Sequence, residues 1–252
     1  MALGGGTFQV QNKVLPGSYM NFVSAKRAIL SFADRGYTAI PLILDWGIEG
    51  EVFTVENADF ETNTKKIFGY SYEHEKMRGL RDLFKNAKTL YAYRVNGSTK
   101  AVSSVANARY GGTRGNDLKI VIQTSVDDIT KFDVSTYLET SLVDVQTVKT
   151  AVDLIDNDYV VFDKTITLAA ASGTPLTGGT TGVATGDNYQ SFLDKIEGYY
   201  INTLACLSTV DTIKSLFTQY TKRMRDEVGA KFQLVGYRLG ADYEGVISVE
   251  NK

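Results

Sequence analysis

The chain has 252 residues, 43% of them hydrophobic, with 27 Lys and Arg against 29 Asp and Glu for a net charge of -2. That apolar content fills a core and excludes a disordered chain, while the near-neutral balance argues against a dedicated nucleic-acid binder, which would carry a strong basic patch. One cysteine, Cys206, excludes an intrachain disulfide and fits intracellular assembly, and the longest apolar run, residues 40–44, falls far short of the roughly 18 residues of a membrane span.

Three glycines stand near the start, Gly4, Gly5 and Gly6. Phe8 and Val10 then alternate with Gln9 and Gln11, and Val14 and Leu15 precede a Pro16-Gly17 turn. The alternation is that of a strand with one apolar face, which a lone strand cannot bury. It either tucks into the chain's own sheet or swings on the glycines as an arm, residues 1–20, toward a neighbour's sheet. No basic start, continuous apolar core or small-residue cleavage site marks a signal peptide. Ala2 stands where myristoylation requires glycine.

Residues 38–45 read as a strand buried on both faces, with Pro41 placing it at an edge or beside a bulge. Trp46-Gly47 breaks it, and residues 51–55 form a second strand. A helix follows over 58–68, capped by Asn57, stopped by Gly69 and apolar at Phe60, Ile67 and Phe68. The next, over 75–87, lines up Met77, Leu80, Phe84 and Ala87. Residues 89–95 are a clear strand, closed by Asn96-Gly97. From 98 to about 183 no helical period shows. β-branched strands are expected at 118–124, 131–134, 142–148, 159–162 and 165–168. Helical period returns after Gly186 with a capping-box start at 187–190 and a stripe of Tyr189, Phe192, Leu193 and Ile196. A buried strand at 202–207 leads to a helix with Val210, Ile213, Phe217, Tyr220, Met224 and Val228 on one face and Lys214, Lys222, Arg223 and Arg225 on the other. Strands close the chain at 231–237 and 246–249. The pattern predicts an α/β (α+β) fold: a three-layer core from residues 21–97 and 184–252, with a small β domain inserted at 98–183.

Candidate chemistry is sparse. His74, the only histidine, cannot make a multi-His metal site and reads as a solvated helix-start residue. Cys206 sits in an apolar strand without a basic flank and reads as a small buried hydrophobe; nothing local supports pairing it with His74 for catalysis. The glycine-rich stretch 111–116 lacks the Lys-Ser/Thr of a phosphate loop and runs into a strand. The second, 176–186, precedes a helix but has no lysine, and reads as a flexible inter-domain linker. The basic face of the 210–228 helix is read as solvated, with an electrostatic partner contact as the alternative. No close carboxylate pair invites acid/base work. Catalytic, cofactor-binding and metal sites are therefore all expected to be absent. Fifteen tyrosines add a weak hint of contact surfaces.

Several segments together resemble the contractile phage tail sheath proteins, specifically the subgroup in prophages and phage-tail-like bacteriocins of Gram-positive bacteria. These are the opening 2–8 with 12–19, Asp34-Arg-Gly36 followed by 42–47, residues 83–94, residues 108–118, residues 176–180 and residues 243–249. Tyr110, Gly112, Arg114, Gly115 and Asn116 match the turn that opens the family's β domain. The resemblance implies a structural, non-catalytic subunit without cofactors. Such subunits stack as six-fold rings around an inner tube and contract to drive it through a target envelope. Implied partners are further copies of the chain, the tube protein, and the baseplate and tail terminator proteins, with neither nucleic acid nor membrane insertion. The implied location is a virion tail or phage-tail-like particle assembled in the host cytoplasm. The N-terminal arm (Gly4, Gly5, Gly6, Phe8, Val10, Val14, Leu15) would exchange strands with neighbours. Family members usually continue through a C-terminal assembly domain, so an end at Lys252 predicts a shortened, monomeric form. The alternative reading is an α/β binding module or a nucleotide-binding enzyme.

Overall fold

The computed structural model describes residues 36–250. The elements run β1 (Tyr37–Leu42), β2 (Val52–Glu56), α1 (Asn57–Phe68), α2 (Arg78–Phe84) and β3 (Thr89–Arg94). Eight short strands follow: β4 (Asn96–Thr99), β5 (Ala106–Ala108), β6 (Leu118–Thr124), β7 (Phe132–Leu138), β8 (Ser141–Val148), β9 (Val160–Phe162), β10 (Ala171–Pro175) and β11 (Thr180–Ala184). Then come α3 (Gly186–Ile196), β12 (Thr203–Cys206), α4 (Asp211–Asp226), β13 (Gln233–Tyr237) and β14 (Val246–Val249).

Six strands form one sheet in the order β14-β13-β12-β1-β3-β2, parallel throughout except for β2 at its edge. A parallel sheet must be covered on both faces. Alternate residues of its strands serve opposite sides: Leu90 and Ala92 meet Phe60, Phe68, Leu80 and Phe84 of α1 and α2, whereas Ala39, Tyr93, Leu204 and Leu234 meet Phe192, Leu193, Phe217 and Met224 of α3 and α4. The result is a three-layer α/β core.

Between β3 and α3 the chain builds a separate antiparallel sheet, β10-β6-β7-β8, with the pair β5-β9 beside it. Leu118, Ile120, Ile122, Val134, Leu138 and Phe162 fill its core, and Trp46, from the loop after β1, is part of that same cluster. The strands that leave and return, β4 and β11, pair antiparallel, with Thr99 opposite Thr180.

The predicted stripes of Met77, Leu80, Phe84 and Ala87 and of Tyr189, Phe192, Leu193 and Ile196 are all buried. Other expectations need correction. β1 is central: Pro41 is accommodated because β12 pairs only with Thr38 and Ala39, so the proline lies beyond the doubly paired stretch. Asn57 is the first helical residue and Glu56 the N-cap; Gly69 does end the helix, at φ +80°, with its N–H donated to Lys65 O. The segment 75–87 is a 3-10 turn (Glu75–Met77) followed by the short α2. Asn96-Gly97 begins a strand instead of a turn, and 165–168 is not a strand. β5, β10 and β11 were not foreseen, being three to five residues long and poor in large apolar side chains. The capping box of α3 is Thr185 with Asn188, two residues ahead of the predicted one. Val210 and Val228 are exposed ends of the α4 stripe. The basic face of α4 is only partly solvated: Lys214 is largely buried beside Asp211, and Arg225 donates to Phe232 O and Glu244.

Candidate functional site

The predicted turn at 110–116 lies where the three-layer core meets the β domain. Gly112 holds φ +126°, and a Cβ there would stand 2.0 Å from the Asp45 carbonyl oxygen, so only glycine lets the two backbones approach this closely. A Cβ on Gly179 would come within 2.5 Å of Gly112 O. Asn116 fastens that second contact with both ends of its amide: Nδ2 donates to Gly179 O (2.9 Å) and Oδ1 accepts from Gly179 N (2.8 Å). Gly115 packs against Ala101 and Ala108. Tyr110 presents an edge to Trp46, 5.3 Å between ring centres, and the Trp46 indole N–H donates to Lys66 O.

Arg114, 6% exposed, ties the β domain to the helical layer. Its Nε donates to Gly69 O (2.8 Å), its Nη1 to Asp117 and Glu139, and its guanidinium stacks 4.5 Å from the centre of the Tyr70 ring. The Lys76 ammonium lies 4.6 Å from the same ring centre and donates to both Asp45 Oδ2 (2.6 Å) and the Tyr70 hydroxyl oxygen (2.7 Å). The Tyr70 hydroxyl in turn donates to Asp45. Burial, then the Asp45 carboxylate, pushes the Tyr70 hydroxyl pKa up; the Asp45 hydrogen bond raises that of Lys76; the Arg114 hydrogen bond holds Glu139 below the usual carboxylate range.

Arg94, at the end of β3, shares the buried alternation of Leu90 and Ala92 and is 1% exposed. Its Nη1 donates to Gly47 O (3.2 Å) and Gly111 O (2.8 Å), one carbonyl from each body. Asn96 bonds both backbone groups of Leu44. The 176–186 stretch is therefore no flexible linker. Leu176 is fully buried, Gly179 is wedged into the joint, and β11 pairs with β4, because small residues there admit backbone-to-backbone contact.

The seven arm residues, Gly4, Gly5, Gly6, Phe8, Val10, Val14 and Leu15, lie outside the described residues. His74 is exposed and accepts from Lys76 N as the cap of a 3-10 turn. Cys206 is buried, which raises its thiol pKa. Among the described residues no group of three or more His, Cys, Asp or Glu could hold a metal ion, and no helix is long and apolar enough to cross a membrane. Sequence reasoning missed Asp45, Gly69, Tyr70, Lys76 and Arg94 as joint residues. Only Arg94 left a signal, a charge at a position whose alternation assigns it to the buried face.

Three family models match in succession along the chain. They are the Tail sheath protein Gp18 domain III N-terminal region over residues 35–95, the Phage tail sheath protein beta-sandwich domain over 95–181, and the Phage tail sheath protein central domain over 182–252. Phage-like element PBSX protein XkdK of Bacillus subtilis (strain 168) is 35% identical over 98% of this chain and 58% of its own length. A second protein of that strain, the uncharacterized YqbK, is 34% identical over the same shares. The sheath tail protein from Desulfitobacterium hafniense superposes with a TM-score of 0.82 at 41% identity, covering 93% of this chain and 56% of that one. The sheath tail protein from Listeria innocua does so with a TM-score of 0.74 at 40% identity, covering 86% and 51%. The chain thus spans a little over half the length of the curated relatives it matches.

Proposed function

Because the chain belongs to the phage tail sheath proteins, we propose that it is a structural subunit which stacks with copies of itself in six-fold rings around an inner tail tube and contracts to drive that tube through a cell envelope. The observation carrying this reading is the unbroken succession of sheath family matches over residues 35–252. The work of contraction comes from metastable contacts between subunits and not from a bound nucleotide. The joint around Tyr110, Gly112, Arg114, Gly115 and Asn116 serves this role by tying the β domain to the core while subunits slide and rotate. The arm of residues 1–15, hinged at Gly4 to Gly6, adds a strand to a neighbour's sheet. Its partners are further copies, the tube protein, and the baseplate and terminator proteins, in a tail or tail-like particle assembled in the host cytoplasm.

Electron microscopy of the protein co-expressed with its tube protein tests the reading. Alone the chain is expected to stay monomeric; with the tube protein, hollow tubes of stacked rings are expected, and a failure to associate with the tube overturns the reading. Deleting residues 1–15 is expected to leave the melting temperature of the isolated subunit unchanged while abolishing linkage between subunits; a large fall in melting temperature sinks the arm assignment. Millimolar ATP or GTP is expected to leave the melting temperature unmoved, whereas a rise would favour a nucleotide-binding protein, since a ligand of the native state stabilises it.

A further inference from the structure

The joint contains one buried charge left half-satisfied. Arg94 spends Nη1 on two carbonyls, but its Nε and Nη2 are buried with no partner among the described residues. Those two nitrogens share one edge of the guanidinium plane, the edge that accepts a carboxylate side-on through two parallel bonds. Buried donors are almost always matched, and an empty charged fork is heavily penalised.

Burial lowers the Arg94 pKa, and the carboxylates of Glu49 and Asp45 oppose that shift. Asp45 is already held by Lys76 and Tyr70. Among the described residues Glu49 is hydrogen-bonded by Ser98 alone, whose hydroxyl donates to Oε2 at 2.6 Å on an exposed surface. The anchoring points nearly coincide. Glu49 lies two residues past Gly47, whose carbonyl Arg94 already binds. Ser98 packs so tightly on Gly111, Arg94's other carbonyl partner, that a Cβ there would sit 2.1 Å from the Ser98 Oγ. Gly47 and Gly50, at φ +109° and +74°, bracket Ile48 and Glu49, and a Cβ on Gly50 would meet nothing within 4 Å, so the loop has room to turn at that end.

We propose that the joint is a two-position latch, in which Glu49 leaves Ser98 and closes its carboxylate on the Nε–Nη2 edge of Arg94. One position ties the 47–50 loop to Ser98 of β4, the strand on which the β domain departs; the other satisfies the buried cation and releases the loop from β4, which stays paired with β11 and bonded to Leu44 through Asn96. The exchange trades an exposed hydrogen bond for a buried ion pair with no change in protonation, and the freed Ser98 hydroxyl donates to water. Such offsetting terms are what make an element bistable. Arg114 with Asp117 and Glu139, Lys76 with Asp45, and Lys66 with Asp158 are further ion pairs at the joint, and the exchange asks none of them to change partner.

The test is a double-mutant cycle read as melting temperature on the isolated subunit, and is independent of assembly. Glu49→Gln is expected to lower the melting temperature of the otherwise unchanged protein by about 4 °C or more. In an Arg94→Met background, where no fork remains, the same change should cost less than half as much. Arg94→Lys, which keeps the charge but lacks the side-on edge, provides the same comparison if the methionine variant does not fold. An undiminished loss in either background, or no loss in the parent protein, overturns the latch and leaves Glu49 as a partner of Ser98 alone.

Discussion

Gly112 and Gly50 both hold positive φ, yet the two sites differ in what surrounds them. Alanine at 50 meets open space and carries only the left-handed penalty of roughly 1–2 kcal/mol. Alanine at 112 adds a clash with a backbone oxygen that cannot turn aside, and about 3 kcal/mol or more is expected. Urea unfolding of the two variants checks the contrast, and equal losses would show that the backbones are not in contact. Charge at the joint gives a second prediction. Arg114 lowers the Glu139 pKa, so that pair contributes stability above the unfolded carboxylate value, lost as pH falls through the lower folded value. Glu139→Gln should therefore flatten the acid limb of the stability profile, and an unchanged limb would exclude the pair from it. The effect is modest because Glu139 is largely exposed.

At the scale of elements, the amphipathic stripes were legible because a helix or strand must repeat its apolar residues at its own period. The stripe of α3 was therefore readable, whereas its start was not: the sequence pattern favours Asp187, but the side chains that bond across the first turn are Thr185 and Asn188. Thr185→Ala should cost about 1 kcal/mol and Asp187→Ala much less. Thermal melts that ranked the two the other way would restore the sequence-based cap. β11 escaped notice for a different reason. Its Thr and Gly residues have no apolar rhythm, and its pairing partner β4 lies some eighty residues away, with Thr99 opposite Thr180. Composition there reads as a linker; the actual constraint is steric, since a Cβ on Gly182 would come within 2.8 Å of Gly97 O.

For the whole molecule, the alternation of strands and helices foretold three layers, while the joint was almost invisible. Its bonds join residues distant in sequence, such as Arg114 with Gly69 and Asn116 with Gly179, and none belongs to a repeating pattern. With Trp46 buried in the β-domain cluster and Arg94 bridging both bodies, neither part can open without exposing groups of the other. Scanning calorimetry of residues 36–250 should accordingly show one cooperative transition, and two well-separated transitions would mean the joint is weak.

The antiparallel pairing of β4 with β11 also bears on how such a chain can change over evolutionary time. A guest segment whose two ends are held side by side presents its host with the same short gap whatever its length, because the entropy of closing a loop grows only slowly with the number of residues in it. The stretch between Thr99 and Thr180 could be lengthened, trimmed or replaced by a tight hairpin without rethreading the parallel sheet. A replacement would be constrained where the host now meets it: it must offer a carbonyl to Arg94, as Gly111 does, and a donor to Gly69 O, as Arg114 does.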